Sequence, residues 1–168
     1  MSSRRSRFVL LALTLFAFVG CDQATKAIAT HSLADAEPLS FLGDTIRIQY
    51  ALNPGAFLSL GSQLSPAIRF WLLTAASGVM VVGGTGVLLF RWNLPRIQFL
   101  ALALITAGGI GNLIDRLTQN GHVTDFLNVG IGPLRTGIFN VADMILMGGT
   151  AVLCWSMMRD ERTSASPG

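Results

Sequence analysis

AIRFWLLTAASGVMVVGGTGVLLF, residues Ala67–Phe90, carries a single charged side chain, Arg69, close to its start. A helix rises 1.5 Å per residue, so these 24 residues extend about 36 Å, enough for the ~30 Å hydrocarbon core of a bilayer. Three other runs are of the same kind: 8–29, which opens FVLLALTLFAFVG (Phe8–Gly20), 97–116 and 138–158. The first and third reach spanning length only if their polar ends, Asp22–Lys26 and Asn112–Arg116, stay helical. Polar groups are expensive at a lipid boundary, so their retention there points to a task. The chain therefore reads as one integral membrane domain over 1–168, an all-α bundle of four transmembrane helices. Segments 30–66 and 117–137 lie outside the membrane.

Composition agrees. The residues are 51% hydrophobic and 12% charged, with a mean hydropathy of +0.56. An ordinary soluble domain has roughly 25% charged residues. The formal net charge of +3 would suit a nucleic-acid partner, but the basic residues are scattered, clustering only at Arg4, Arg5 and Arg7. Topology signals explain them better, and no nucleic acid is expected. Cys21 and Cys154 sit in apolar runs and read as small buried hydrophobes rather than a disulfide framework. Glycines within the spans (Gly78, Gly83, Gly84 and Gly86; Gly108, Gly109 and Gly111; Gly148 and Gly149) read as close-packing positions. Gly108–Gly111 lacks the Lys-Ser/Thr of a phosphate loop.

The N-terminus, the connection holding Arg91 and Arg96, and the tail with Arg159 and Arg162 fall on one side, the cytoplasm by the positive-inside rule. Apart from those in the tail, every acidic residue falls on or beside the other face. There, Thr45–Leu52 (TIRIQYAL) alternates like a strand and ends in the turn signal Asn53-Pro54-Gly55. A small outer β-sheet or cradle follows from it. Ala56–Leu60 and Ile68–Leu73 are apolar enough for a surface helix between the first two spans.

Five polar clusters gather at that face: Asp22-Gln23-Ala24-Thr25-Lys26, Asn53-Pro54-Gly55-Ala56-Phe57, Gly111-Asn112-Leu113-Ile114-Asp115-Arg116, Val123-Thr124-Asp125-Phe126 and Phe139-Asn140-Val141-Ala142-Asp143. Asn112, Asp115 and Arg116 share a helix face by spacing, as do Asn140 and Asp143. A polar pocket between spans three and four follows, with Asp125 reaching over it from the joining loop. Ser59, Ser62, Ser65 and Ser77 lack a nucleophile elbow. His31 and His122 have no ligand-spaced partner, so no metal is expected, and neither cysteine has an identifiable base. Paired aspartates remain: two carboxylates about 3 Å apart share a proton, and together they hydrolyse amides without a cofactor. Spacing alone pairs Asp115 with Asp143.

The order DQATK, NPGAF, GNLIDR, VTDF and FNVAD, from about Phe8 to Met158, resembles lipoprotein signal peptidase (signal peptidase II). The resemblance implies a membrane aspartyl endopeptidase of the bacterial inner membrane, with both termini cytoplasmic and its site at the periplasmic surface. It implies diacylglyceryl-modified prolipoproteins as substrates, cut on the N-terminal side of the modified cysteine, with membrane lipid as the other partner. A monomer is expected. By the same resemblance the catalytic pair is Asp125 and Asp143. Asn112, Asp115, Arg116 and Asn140 orient the pair or hold substrate backbone, while Asp22, Lys26, Asn53 and Gly55 lie near the substrate cradle. Asp125 is preferred to Asp115 also because Arg116 stands beside Asp115, and a salt-bridged carboxylate holds a shared proton poorly. Segment 41–60 is placed as a lid over a lateral opening.

Two rival readings compete. Arg4-Arg5-Arg7, an apolar stretch and Phe18-Val19-Gly20-Cys21 resemble a lipoprotein signal sequence, which would make the chain a substrate. Against it, Phe18 stands where a smaller aliphatic is preferred, and cleavage would strip DQATK of its helix. A small transporter would place carboxylates at mid-bilayer depth and show matching halves, which this chain lacks.

Overall fold

The computed structural model describes residues 4–55, 65–91 and 93–165. Four long helices cross it: α1 (Arg4–Leu33), α2 (Pro66–Phe90), α3 (Arg96–Thr118) and α4 (Val141–Ala165). All four contain windows apolar and long enough to span a bilayer. Three of the runs extend past their expected ends, α4 as far as Ala165. α1 continues past its polar stretch to Leu33, and α3 runs past Arg116 to Thr118. α4 begins at Val141 rather than 138, which changes the reading of its polar residues.

α3 is the axis of the bundle and packs against α1, α2 and α4. Half of its apolar window is buried, against 6% for α2. Phe16, Val79, Val82 and Phe90 are largely exposed on the outer helices. So much uncovered apolar surface is stable only against lipid. Cys21 and Cys154 are also exposed, which corrects the expectation of burial within the protein: their apolar neighbours face the bilayer.

The small residues divide in the same way. A side-chain carbon on Gly108 would lie 2.5 Å from the Ala142 carbonyl oxygen, and one on Gly149 would lie 2.8 Å from that of Ala101. Both glycines thus let α3 and α4 touch backbone to backbone. Gly78, Gly83, Gly86 and Gly148 have open space around them, so for these four the packing expectation does not hold.

Four antiparallel strands close one end of the bundle in the order β1 (Leu39–Phe41), β2 (Ile46–Asn53), β3 (Val123–Ile131) and β4 (Leu134–Arg135). The alternation of Thr45–Leu52 does form a strand, β2, and its main partner is β3, from the segment between α3 and α4. Asp125 therefore sits on a strand opposite Ala51, not in a loop. The register shifts between Ile48 and Ala51, where Gln49 and Tyr50 oppose only Phe126. Such a bulge bends a strand and re-aims its side chains. On its other side β3 is pinned by Phe139, whose carbonyl accepts from the N–H groups of Phe126 and Leu127 at 3.0 and 2.8 Å. This clamp brings Asn140, the next residue, to Asp125.

Residues 41–55 of the segment read as a lid thus belong to the sheet and its turns. Ile68–Leu73 forms the first turns of α2 rather than a separate surface helix. Ala56–Leu60, the remainder of both expectations, lies outside the described residues.

Packing separates two glycines of similar sequence context. Gly108→Ala should destabilise the protein by about 1–3 kcal/mol through overpacking, whereas Gly83→Ala should be neutral or slightly stabilising. Thermal unfolding in detergent measures both, and equal effects at the two positions would contradict the packing described.

Candidate active site

The ten polar residues singled out by the sequence lie in one connected network at the sheet end of the bundle. It starts at the first turn of α4. Asn140 caps that helix: its side-chain oxygen accepts the Asp143 N–H at 2.9 Å, and the Asp143 carboxylate accepts the Asn140 N–H at 3.3 Å. This reciprocal pair is a capping box, so Asn140 precedes the helix instead of sharing a helical face with Asp143. The next free donor, the Ala142 N–H, is satisfied from 120 residues away by Asp22 at 2.8 Å. Asp22 reaches it past Gly111, where any side chain would strike the Asp22 carboxylate.

Asn140 also donates its amide to Asp125 at 2.7 Å, and Asn53 donates to the other oxygen of Asp125 at 2.8 Å. Asn112 donates to Asp143 at 2.8 Å. Asp125 and Asp143 are therefore each held by two partners, and Asn140 is common to both. Asp125 is 1% exposed. Burial pushes its pKa up to about 6; the Asn53 and Asn140 hydrogen bonds and the Lys26 charge act against the rise, and the Asp143 charge adds to it.

Asp115 differs in kind. Its oxygens accept from the Gln23 amide at 3.1 Å and the Thr124 N–H at 2.9 Å, and Lys26 stands 3.0 Å away. The salt bridge expected with Arg116 is instead made with Lys26, from α1. Arg116 turns aside to the carbonyls of Asn112 and Gly55, at 3.3 and 3.2 Å. Gly55 also donates its N–H to the Asn53 side chain at 2.9 Å, which closes the turn carrying Asn53. Lys26 bonds Asp22 at 2.9 Å and Asn112 at 3.1 Å as well. Asp22 and Lys26, expected near a substrate cradle, are 1% and 3% exposed and lie beneath the site as its support.

Sequence reasoning passed over two contributors. Gln23 bonds Asp22, Asp115 and the Gly111 carbonyl, and Thr124 offers both backbone groups, its carbonyl accepting from Asn140 at 3.3 Å. Both lie inside quoted motifs, and neither residue type marks itself as structural. Cys21 sits within the unbroken helix α1, one residue before the carboxylate that caps α4. Cleavage there would remove most of α1 from the bundle.

Residues 14–159 match the family model for signal peptidase (SPase) II. The chain belongs to that family. A lipoprotein signal peptidase of Moorella thermoacetica is 34% identical over 153 residues, covering 90% of this chain and 92% of that protein. One of Leifsonia xyli is 35% identical over 149 residues, covering 83% of this chain. The chain spans only 62% of the length of the Leifsonia protein and 60% of a Mycolicibacterium smegmatis relative. A bacterial membrane enzyme structure determined by the in meso method at 2.3 Å resolution shares the fold, with a TM-score of 0.80 at 23% identity over 95% of this chain and 93% of that one. A second, at 1.9 Å resolution, gives 0.73 over 90% and 94%. Family and fold agree on a multi-pass membrane protein.

The raised pKa of Asp125 carries a stability consequence. Between about 3.8, the ordinary value, and about 6, the folded protein binds a proton that the unfolded chain does not. Stability from this group is complete below that window and is lost as pH rises through it, to an extent of about 3 kcal/mol. Asp125→Asn removes the dependence. Thermal unfolding of the two proteins from pH 4 to 7 should therefore diverge in slope, and parallel curves would refute the buried, proton-holding carboxylate.

Proposed function

We propose that this chain is a membrane aspartyl endopeptidase that removes signal peptides from bacterial prolipoproteins. It cuts on the N-terminal side of the diacylglyceryl-modified cysteine, with Asp125 and Asp143 as the catalytic pair. Family membership and the names of the relatives support the substrate class. The observation that carries the pair is Asn140, whose one side chain binds Asp125 directly and caps the turn that presents Asp143.

Charge supports the same two residues. Three buried carboxylates (Asp22, Asp115 and Asp125) and the half-buried Asp143 face two cations, Lys26 and Arg116, among the described residues. Lys26 pairs directly with Asp22 and Asp115. The excess negative charge falls on the other two, and retaining one proton between them relieves it. Asp125, whose surroundings favour the neutral form, holds that proton. Asp143, held by the Asn112 amide and the Asn140 N–H at the start of α4, is the base.

The chemistry then balances without a cofactor. Asp143 takes a proton from water as the water oxygen attacks the scissile carbonyl carbon, and Asp125 gives its proton to the carbonyl oxygen. The resulting diol collapses as the C–N bond breaks. Asp143 passes its proton to the leaving amine, and Asp125 recovers one from the diol, restoring the pair. Arg116 and the Gly55 turn border this position and offer groups for substrate backbone.

Location fits the substrate. Acyl chains on the modified cysteine stay in the bilayer while the signal helix spans it, so the scissile bond lies at headgroup depth. The candidate pair lies where α4 meets the sheet, at the end of the bundle. With both termini cytoplasmic, as the arginines imply, that end faces outward.

Purified protein in detergent should cut a diacylated prolipoprotein, and Asp125→Asn and Asp143→Asn should each lower kcat by about 10²–10⁴-fold. Asp115→Asn should act chiefly on stability. Normal rates in both dyad variants would dismiss the pairing, and inactivity confined to Asp115→Asn would reassign it to Asp115.

A further inference from the structure

A second feature lies on the lipid side of the site. An open groove of about 590 Å³ runs between β3–β4 and the first turns of α4, lined by Val129, Phe139, Met144 and Met147 and by Arg135 at its upper edge. Met144 and Met147 are each more than half exposed on α4. Beside the groove, the tips of both hairpins show Leu42, Ile131 and Leu134, each over three-quarters exposed. The Gly130 N–H bonds the Thr45 carbonyl at 2.9 Å, which sets the two tips side by side. Apolar tips and an apolar groove on one face belong at the lipid boundary.

Arg135 gives that boundary a sign. Its Nε donates to Asn128 at 2.5 Å and its Nη1 to the Asp44 carbonyl at 2.7 Å, while its Nη2 is buried with no partner among the described residues. Arg47 binds the Asp44 carboxylate through two nitrogens, so two guanidinium groups share one acid and a positive charge is left over. A guanidinium with an unmet donor next to an apolar groove complements a phosphate whose acyl chain lies in that groove.

We propose that this groove is a binding site for an anionic glycerophospholipid of the surrounding bilayer, its phosphate on Arg135 and an acyl chain along Phe139, Met144 and Met147. The site adjoins Asp143 through Met144, so the lipid forms part of the wall beside the catalytic pair. The proposal rests on the membrane setting and not on the dyad.

Native mass spectrometry of the purified full-length protein, titrated with dioleoyl phosphatidylglycerol or dioleoyl phosphatidylcholine, tests it. Wild-type protein should retain phosphatidylglycerol about fivefold more tightly, the selectivity one basic group supplies near an anionic surface. Arg135→Gln should abolish the preference by removing the charge. Met147→Trp, which fills the groove from an exposed position, should weaken retention of both lipids. Equal retention of the two lipids by wild-type protein, or an undiminished preference in Arg135→Gln, overturns the proposal. So does an Arg135→Gln protein that keeps its phospholipid preference but binds a diacylated substrate peptide poorly, since the groove would then serve the substrate's own lipid. Asp143→Asn protein should keep the preference, which separates failure here from failure of the proposed hydrolysis.

Discussion

One buried ammonium organises the site. Lys26, on α1, binds Asp22 one turn before it, Asp115 on α3 and the side-chain oxygen of Asn112. Desolvating a lysine costs several kcal/mol, and two carboxylates and an amide together offset that only because the geometry is complete. Ammonium has donors and no acceptor. Asn112 must therefore present its oxygen to Lys26, which leaves its NH2 for Asp143. With that oxygen also accepting from Asn140 at 3.2 Å, the Asn140 NH2 is fixed toward Asn112 and Asp125, and its own oxygen is fixed toward the N-terminus of α4. The orientation of both amides, and through them of both candidate catalytic carboxylates, traces back to a lysine that need not meet the substrate.

The arrangement also sorts four chemically identical carboxylates into different tasks. Asp22 and Asp115 each accept from the Lys26 ammonium and from a backbone N–H, that of Ala142 or of Thr124. Asp125 receives only neutral amides as hydrogen-bond donors, and burial outweighs them. The distinction lies in what surrounds each residue, since Asp22, Asp115 and Asp125 are equally inaccessible.

Much of this was legible in the sequence, and the failures have physical causes. Spans follow from apolar length, and the strand at 46–53 from its alternation, because both are local signals. Asp22 and Lys26 stand out in the sequence as polar residues at the end of an apolar run, but neither their burial nor their role as supports is a local signal. Partners distant in the chain were misjudged. Arg116 adjoins Asp115 in sequence, yet the partner is Lys26, because the i+1 side chain points around the helix from its neighbour. Asn140 and Asp143 show a spacing that fits a shared helix face and a capping box equally well, and only the true start of α4 decides between them. The exposed cysteines and the four uncrowded glycines show that apolar context in a membrane chain does not say whether lipid or protein supplies the neighbour.

The placement of Asp125 on a strand rather than on a helix follows from the solvent. Within hydrocarbon the backbone must satisfy itself as a helix, so a group approached by water and by an extended peptide has to sit where other backbone shapes are permitted. Asp143 occupies the first turn of α4, the last place a helical residue can stand before that limit. Asp125 occupies the strand that begins just past it, next to a bulge and clamped by Phe139. The proposed pair, one residue on each side of that boundary, stands at the depth where a bilayer-held chain first meets water.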